Sequence, residues 1–136
     1  MNRNDVSETL AKVPAVTLGF WGIKILATTL GETAGDSVSM SWLGETTSDA
    51  TGWGYLIGTG IFMVPLVALI LAQIRAIKFN PWLYWATIIA STTAGTTLAD
   101  FFTRTLFTKL DHVDQAMSYL LGSIALFACV IGTLAI

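Results

Sequence analysis

Four long apolar blocks, separated by short polar breaks, set the plan of this chain. They cover about residues 15–38, 53–74, 81–104 and 115–136, and each is close to the ~20 residues of helix that cross a ~30 Å hydrocarbon core. The first opens after Pro14, a residue suited to a helix's first turn, and carries Lys24, Glu32 and Asp36. The second is apolar apart from small residues, is expected to kink at Pro65 without ending there, and closes on Arg75 and Lys78. The third begins near Pro81 with the interfacial aromatics Trp82, Tyr84 and Trp85, then passes four threonines, Thr92, Thr93, Thr96 and Thr97, to reach Asp100 and Arg104. The fourth is almost wholly apolar. The pattern predicts an all-α membrane protein of four transmembrane helices, with residues 1–136 forming a single transmembrane domain.

An internal repeat sharpens this plan. Sliding the sequence by 64 residues places Trp21 on Trp85, Ile25 on Ile89, Thr28 and Thr29 on Thr92 and Thr93, Gly31 on Gly95, Thr33 on Thr97 and Asp36 on Asp100. The match continues into the following block, where Tyr55 and Leu56 meet Tyr119 and Leu120, and Gly58 meets Gly122. Each repeat is thus a helical hairpin, about 15–75 and about 81–136. Equivalent residues are separated by an even number of spans, so the hairpins run parallel and are related by an axis near the membrane normal.

Composition agrees, with 54% hydrophobic and only 12% charged residues. The net charge of -2 offers no basic stripe for nucleic acid. One cysteine, Cys129, and one histidine, His112 in the third loop, exclude a disulfide and disfavour zinc or copper chemistry; no cofactor is implied. Residues 1–12 include Asp5 and Glu8 and lack the basic start and apolar run of a cleavable signal, so the first helix is expected to act as its own insertion signal. Basic residues outside the spans fall as Arg3 and Lys12, none in the first loop, Arg75 and Lys78, then Arg104 and Lys109. This bias predicts a multi-pass protein with both termini inside, the loop near Ser48 outside and the loop near Lys78 inside.

The segments K-I-L-A-T-T-L-G-E-T-A-G-D, from Lys24 to Asp36, and Y-W-A-T-I-I-A-S-T-T-A-G-T-T-L-A-D, from Tyr84 to Asp100, resemble a family of uncharacterised bacterial membrane-anchored proteins. The likeness covers most of the chain. Longer members of that family look like two four-helix units in tandem, so this chain resembles a single unit. The resemblance implies a bacterial inner-membrane location and a function supplied by pairing two units; it brings no substrate and no catalytic residue.

Candidate chemistry rests on the polar residues inside the spans. Positions four apart share a helix face, so Lys24, Thr28, Glu32 and Asp36 form one polar stripe and Thr92, Thr96, Asp100 and Arg104 its counterpart. Turned toward lipid, each charge at a helix centre would cost ~2.5 to 3.5 kcal/mol on insertion scales, so the stripes are expected to face inward. The threonines and the spaced glycines Gly31, Gly35 and Gly95 read first as close helix packing, and second as the wall of a pathway. Asp36 and Asp100 are either hydrated ends, with Asp100 paired to Arg104, or a duplicated functional acid. Glu32 and Lys24 have no charged repeat counterpart, which leaves either a snorkelling lysine beside a neutral acid or a relay through Lys24, Glu32 and Asp36. No nucleophile with a base, no phosphate loop and no haem ligand pair is visible, so an enzyme is not expected. These features favour a transporter or exporter of a small cation or cationic solute, proton-coupled through Glu32 and the aspartates and assembled as a homodimer in the bilayer. Glu32, Asp36 and Asp100 are its candidates for any hard metal ion. The alternative is a non-transporting membrane scaffold or accessory subunit.

Overall fold

The computed structural model describes residues 14–46, 51–106 and 114–135, whose regular structure is entirely helical. Four helices follow in order, α1 (Leu18–Asp36), α2 (Trp53–Arg75), α3 (Pro81–Asp100) and α4 (Gln115–Leu134). Local chemistry explains where each begins. Thr17 caps α1, its hydroxyl accepting from the Phe20 N–H at 3.2 Å, so the helix opens three residues later than Pro14 suggests. Asn80 caps α3 by accepting from the Trp82 and Leu83 N–H groups, with Pro81 in the first turn, where its missing donor is no loss. The Glu45 carboxylate accepts from the Gly52 N–H (2.7 Å) and the Gly54 N–H (2.5 Å), placing negative charge on the positive end of α2. Pro65 lies inside α2 without interrupting it.

Neither α1 nor α3 stops at its aspartate. Each continues into a six-residue wide turn of π type, Ser37–Trp42 after α1 and Phe101–Leu106 after α3, at positions 64 residues apart. The repeat therefore extends to an unusual backbone feature, one that recurs at functional sites.

α1 and α3 run parallel and in contact. Phe20 meets Trp85 with ring centroids 5.5 Å apart near their starts, and farther along Gly31 and Gly35 press against Thr92, Thr93 and Thr96. A Cβ built on Gly31 would lie 2.5 Å from Thr92 Oγ1 and 3.0 Å from the Ile89 carbonyl, so only glycine permits this approach. α2 runs antiparallel to α3, joined to it by a Thr59–Thr97 hydroxyl bond of 3.1 Å. In each hairpin the second helix packs on the π turn of the first through a repeat-equivalent glycine, Gly58 against Ser39 and Gly122 against Thr103. The Ser118 hydroxyl donates to the Thr103 carbonyl at 2.6 Å, the principal anchor of α4.

The interior is small and hydroxyl-bearing. Ser39, Thr59, Thr93, Thr97, Thr105 and Ser118 are buried, together with Ala27, Tyr55 and Ala94, while Leu18, Leu26, Val64, Ile74, Phe127 and Leu134 are largely exposed. Four of these six hydroxyls are satisfied locally, since Ser39, Thr59, Thr93 and Thr97 each donate to the carbonyl four residues earlier, whereas Thr105 and Ser118 donate to the Gly52 and Thr103 carbonyls. Two helices, α2 and α4, are long and apolar enough to cross a membrane. α1 and α3 are of similar length, but charged residues and threonines lower their hydropathy.

The repeat-equivalent glycines make a controlled comparison, because a Cβ on Gly95 meets nothing within 4 Å. Gly31→Ala should lose ~1 to 3 kcal/mol through the clash with Thr92. Gly95→Ala should be neutral, or gain up to ~1 kcal/mol in helix propensity. Unfolding in a mild-detergent and denaturant series measures both; equal losses would contradict the packing described here.

Candidate functional site

Burial on α1 follows Ala27, Gly31 and Gly35, a seam one residue out of phase with the stripe of Lys24, Thr28, Glu32 and Asp36. The inward face expected from the charges is thus a correction: glycines allow the closest approach and take the contact, leaving the charged stripe beside it. Lys24 and Asp36 are half-buried and Glu32 is exposed. On α3 the same displacement buries Thr93, Ala94 and Thr97 and leaves Thr92, Thr96 and Asp100 half-buried at the margin.

Where the two margins converge, past Gly35, lies an open cavity of about 290 Å³ lined by Glu32, Asp36, Met40, Thr96, Ala99, Asp100 and Arg104. Its composition follows the repeat. Glu32 is equivalent to Thr96, Asp36 to Asp100 and Met40 to Arg104, so three matched pairs line the same cavity. The two π turns form its end, bringing Met40 and Arg104 onto the same wall as the aspartates one turn earlier.

The halves differ in charge. Arg104 Nε donates to Asp100 Oδ1 at 2.9 Å, the sole ion pair among the described residues, and the guanidinium also lies 5.9 Å from the centre of the Tyr119 ring on α4. The Asp36 side chain, with Met40 in the corresponding place, makes neither a hydrogen bond nor an ion pair among the described residues, and the same holds for the Glu32 side chain. Three carboxylates and one guanidinium leave the cavity with a formal excess of two negative charges. The three carboxylates, in excess over the one guanidinium, are acceptors suited to a positively charged guest.

Of the residues singled out from the sequence, Glu32, Asp36, Thr96, Asp100 and Arg104 line this cavity, whereas Lys24, Thr28 and Thr92 do not. Thr28 donates to the Lys24 and Ile25 carbonyls and Thr92 to those of Ile88 and Ile89, both within their own helices. Lys24 lies two turns before Glu32, so the relay through Lys24 has no continuous lining in the cavity. No group of three His, Cys, Asp or Glu residues among those described could hold a metal ion, so Glu32, Asp36 and Asp100 share a cavity without forming a ligand cage. His112 falls outside the described residues. Met40 and Ala99 are additions; both were visible as the repeat partners of Arg104 and Gly35.

The family comparison meets this geometry at the repeat. A family model described as Repeat of Unknown Function (DUF347) matches twice, over residues 19–79 and 83–136, with starts 64 residues apart (83 − 19). The chain belongs to this family. Each DUF347 match takes in one hairpin, α1 with α2 and α3 with α4, so the cavity sits between the two family repeats. No curated protein and no solved structure matches the chain.

Accessibility gives a direct check of the cavity. In a Cys129→Ala background, Met40→Cys and Ala99→Cys should react with a small charged thiol reagent, while Thr97→Cys, at a position with 0% exposure, should not. Equal protection at all three positions would rule out an open cavity between α1 and α3.

Proposed function

We propose that this DUF347 protein is a multi-pass unit of the bacterial inner membrane whose four helices all cross the bilayer, and that it moves a small cation or cationic solute through the cavity between its repeats. The observation that carries the reading is the placement of Glu32, Asp36 and Asp100 in one open cavity with a single arginine among them. A chain that only needed to pack would not keep there two acids whose side chains make no hydrogen bond or ion pair among the described residues, since a charge at membrane depth is costly unless water, a counter-ion or a guest compensates it.

The membrane location draws on the distribution of apolar surface. Large aliphatic side chains point outward and hydroxyl-bearing ones inward, the inverse of a water-soluble core and the pattern of helices held together by small residues in lipid. α1 is ~28 Å long and α3 ~30 Å at 1.5 Å per residue, matching α2 and α4 in reach. With both termini inside, the cavity lies toward the outer face, near the loop that joins α1 to α2. Glu32, exposed at its margin, is the group that would take and release a proton during the cycle. A cavity open along one side is completed by a second copy, hence a homodimer.

A scaffold or accessory subunit is the competing reading, and the threonine–glycine seam favours it, because that seam packs without needing any guest. Reconstituted protein separates the two. Asp36→Asn and Glu32→Gln should keep the wild-type melting temperature and lower cation flux into liposomes by about tenfold or more, with Glu32→Gln also removing its dependence on a pH gradient. Wild-type flux in both variants, across a panel of alkali and organic cations, would leave the scaffold reading in place.

A further inference from the structure

The unequal halves of the cavity indicate what kind of cation it takes. In repeat 2 the acid is already occupied: Arg104, four residues after Asp100, holds its guanidinium on the carboxylate at 2.9 Å, with the Tyr119 ring beside it. In repeat 1 the equivalent acid, Asp36, is followed four residues later by Met40, which fills part of the same space and carries no charge. Both acids line one cavity and both precede a six-residue π turn, so the backbone that presents Arg104 to Asp100 is repeated around Asp36.

We infer that the Asp36 half of the cavity binds a guanidinium-type organic cation, which takes beside Asp36 the place that the Arg104 side chain takes beside Asp100. Glu32 adds a second acceptor on the same wall, where repeat 2 has only Thr96. A planar guanidinium presents its donors in a fork that two carboxylate oxygens can accept together, a fit that a spherical alkali ion lacks. The Met40 thioether and the Ala99 methyl supply apolar surface against which a weakly hydrated cation can rest. At about 290 Å³ the space approaches the ~300 Å³ lower bound of small-molecule sites, far more than one ordered water at ~30 Å³ requires. Arg104 is then a specificity-determining residue: it neutralises one of two equivalent acids and limits each chain to a single guest. This inference rests on the cation-transport reading and names its substrate class.

The test is calorimetric titration of the full chain in lipid nanodiscs with guanidinium chloride at non-denaturing concentration, with potassium and tetramethylammonium as comparison probes. The wild type should bind one guanidinium per chain and prefer it to both comparison cations. Met40→Arg, which places a tethered guanidinium beside Asp36, should weaken binding by about tenfold or more, whereas the uncharged Met40→Leu should weaken it far less. Arg104→Met should raise the stoichiometry to two. The exchanged double variant, Met40→Arg with Arg104→Met, retains one tethered cation and guards against misfolding of the single variants. It should regain one guanidinium site per chain, now lost on Asp100→Asn and not on Asp36→Asn. Absence of guanidinium binding in the wild type, or binding indifferent to Met40→Arg, overturns the inference. Should potassium or sodium flux nevertheless depend on Asp36, the cation-transport reading stands without it; should no cation bind or move, both fall.

Discussion

The approach of α1 to α3 across Gly31 and Gly35 is the contact on which the remaining architecture depends. A Cβ at Gly31 would collide with Thr92, and one at Gly35 would press on the Thr93 carbonyl at 3.2 Å and on Thr97, so two missing side chains set the distance between the parallel helices. That spacing fixes the phase of everything beside it. With Ala27, Gly31 and Gly35 in the seam, Glu32 and Asp36 must lie along its edge, and the matching edge of α3 carries Thr96 and Asp100. The cavity is where the seam ends and the edges continue into the two π turns.

Duplication explains the form of the site and divergence its charge. Two hairpins related by a 64-residue offset contribute three equivalent pairs to one cavity, Glu32 with Thr96, Asp36 with Asp100 and Met40 with Arg104. Asp36 and Asp100 are retained on both sides, whereas Met40 and Arg104, and Glu32 and Thr96, have separated in character. The interior beyond the site has no such tension. Most of its serine and threonine hydroxyls donate to their own helices, which lets polar side chains fill a tightly packed core, while Ser118 and Thr59 also tie one helix to another.

Much of this was legible in the sequence, and the exceptions have physical causes. Block length and the repeat give four helices in two hairpins, and the family match at 19–79 and 83–136 reproduces the offset read from Thr28, Gly31 and Asp36. Five of eight candidate site residues meet in the cavity. Periodicity identified the charged stripe but not which neighbouring stripe would be buried, because that choice depends on how closely two backbones approach; here Gly31 and Gly35 prevailed over Lys24 and Glu32. Gly95 shows the same limit, since the residue that packs in one repeat faces open space in the other. The π turns were not foreseen because a wider turn leaves no distinct residue signature in S-V-S-M-S-W or F-F-T-R-T-L. The Glu45 cap lacks a repeat counterpart, its equivalent position being Lys109, so the duplication could not reveal it.

The central claim is that the acids between the repeats face water and a mobile cation, where a purely structural seam would bury them dry. Hydroxyl-radical footprinting of the protein in nanodiscs reads this at Met40, a cavity residue whose thioether oxidises readily where water reaches it, with Met63 on α2 as the reference for apolar outer surface. The account predicts oxidation of Met40 well above that of Met63, reduced when a bound cation fills the cavity. Protection of Met40 equal to or greater than that of Met63, with and without cation, would contradict it.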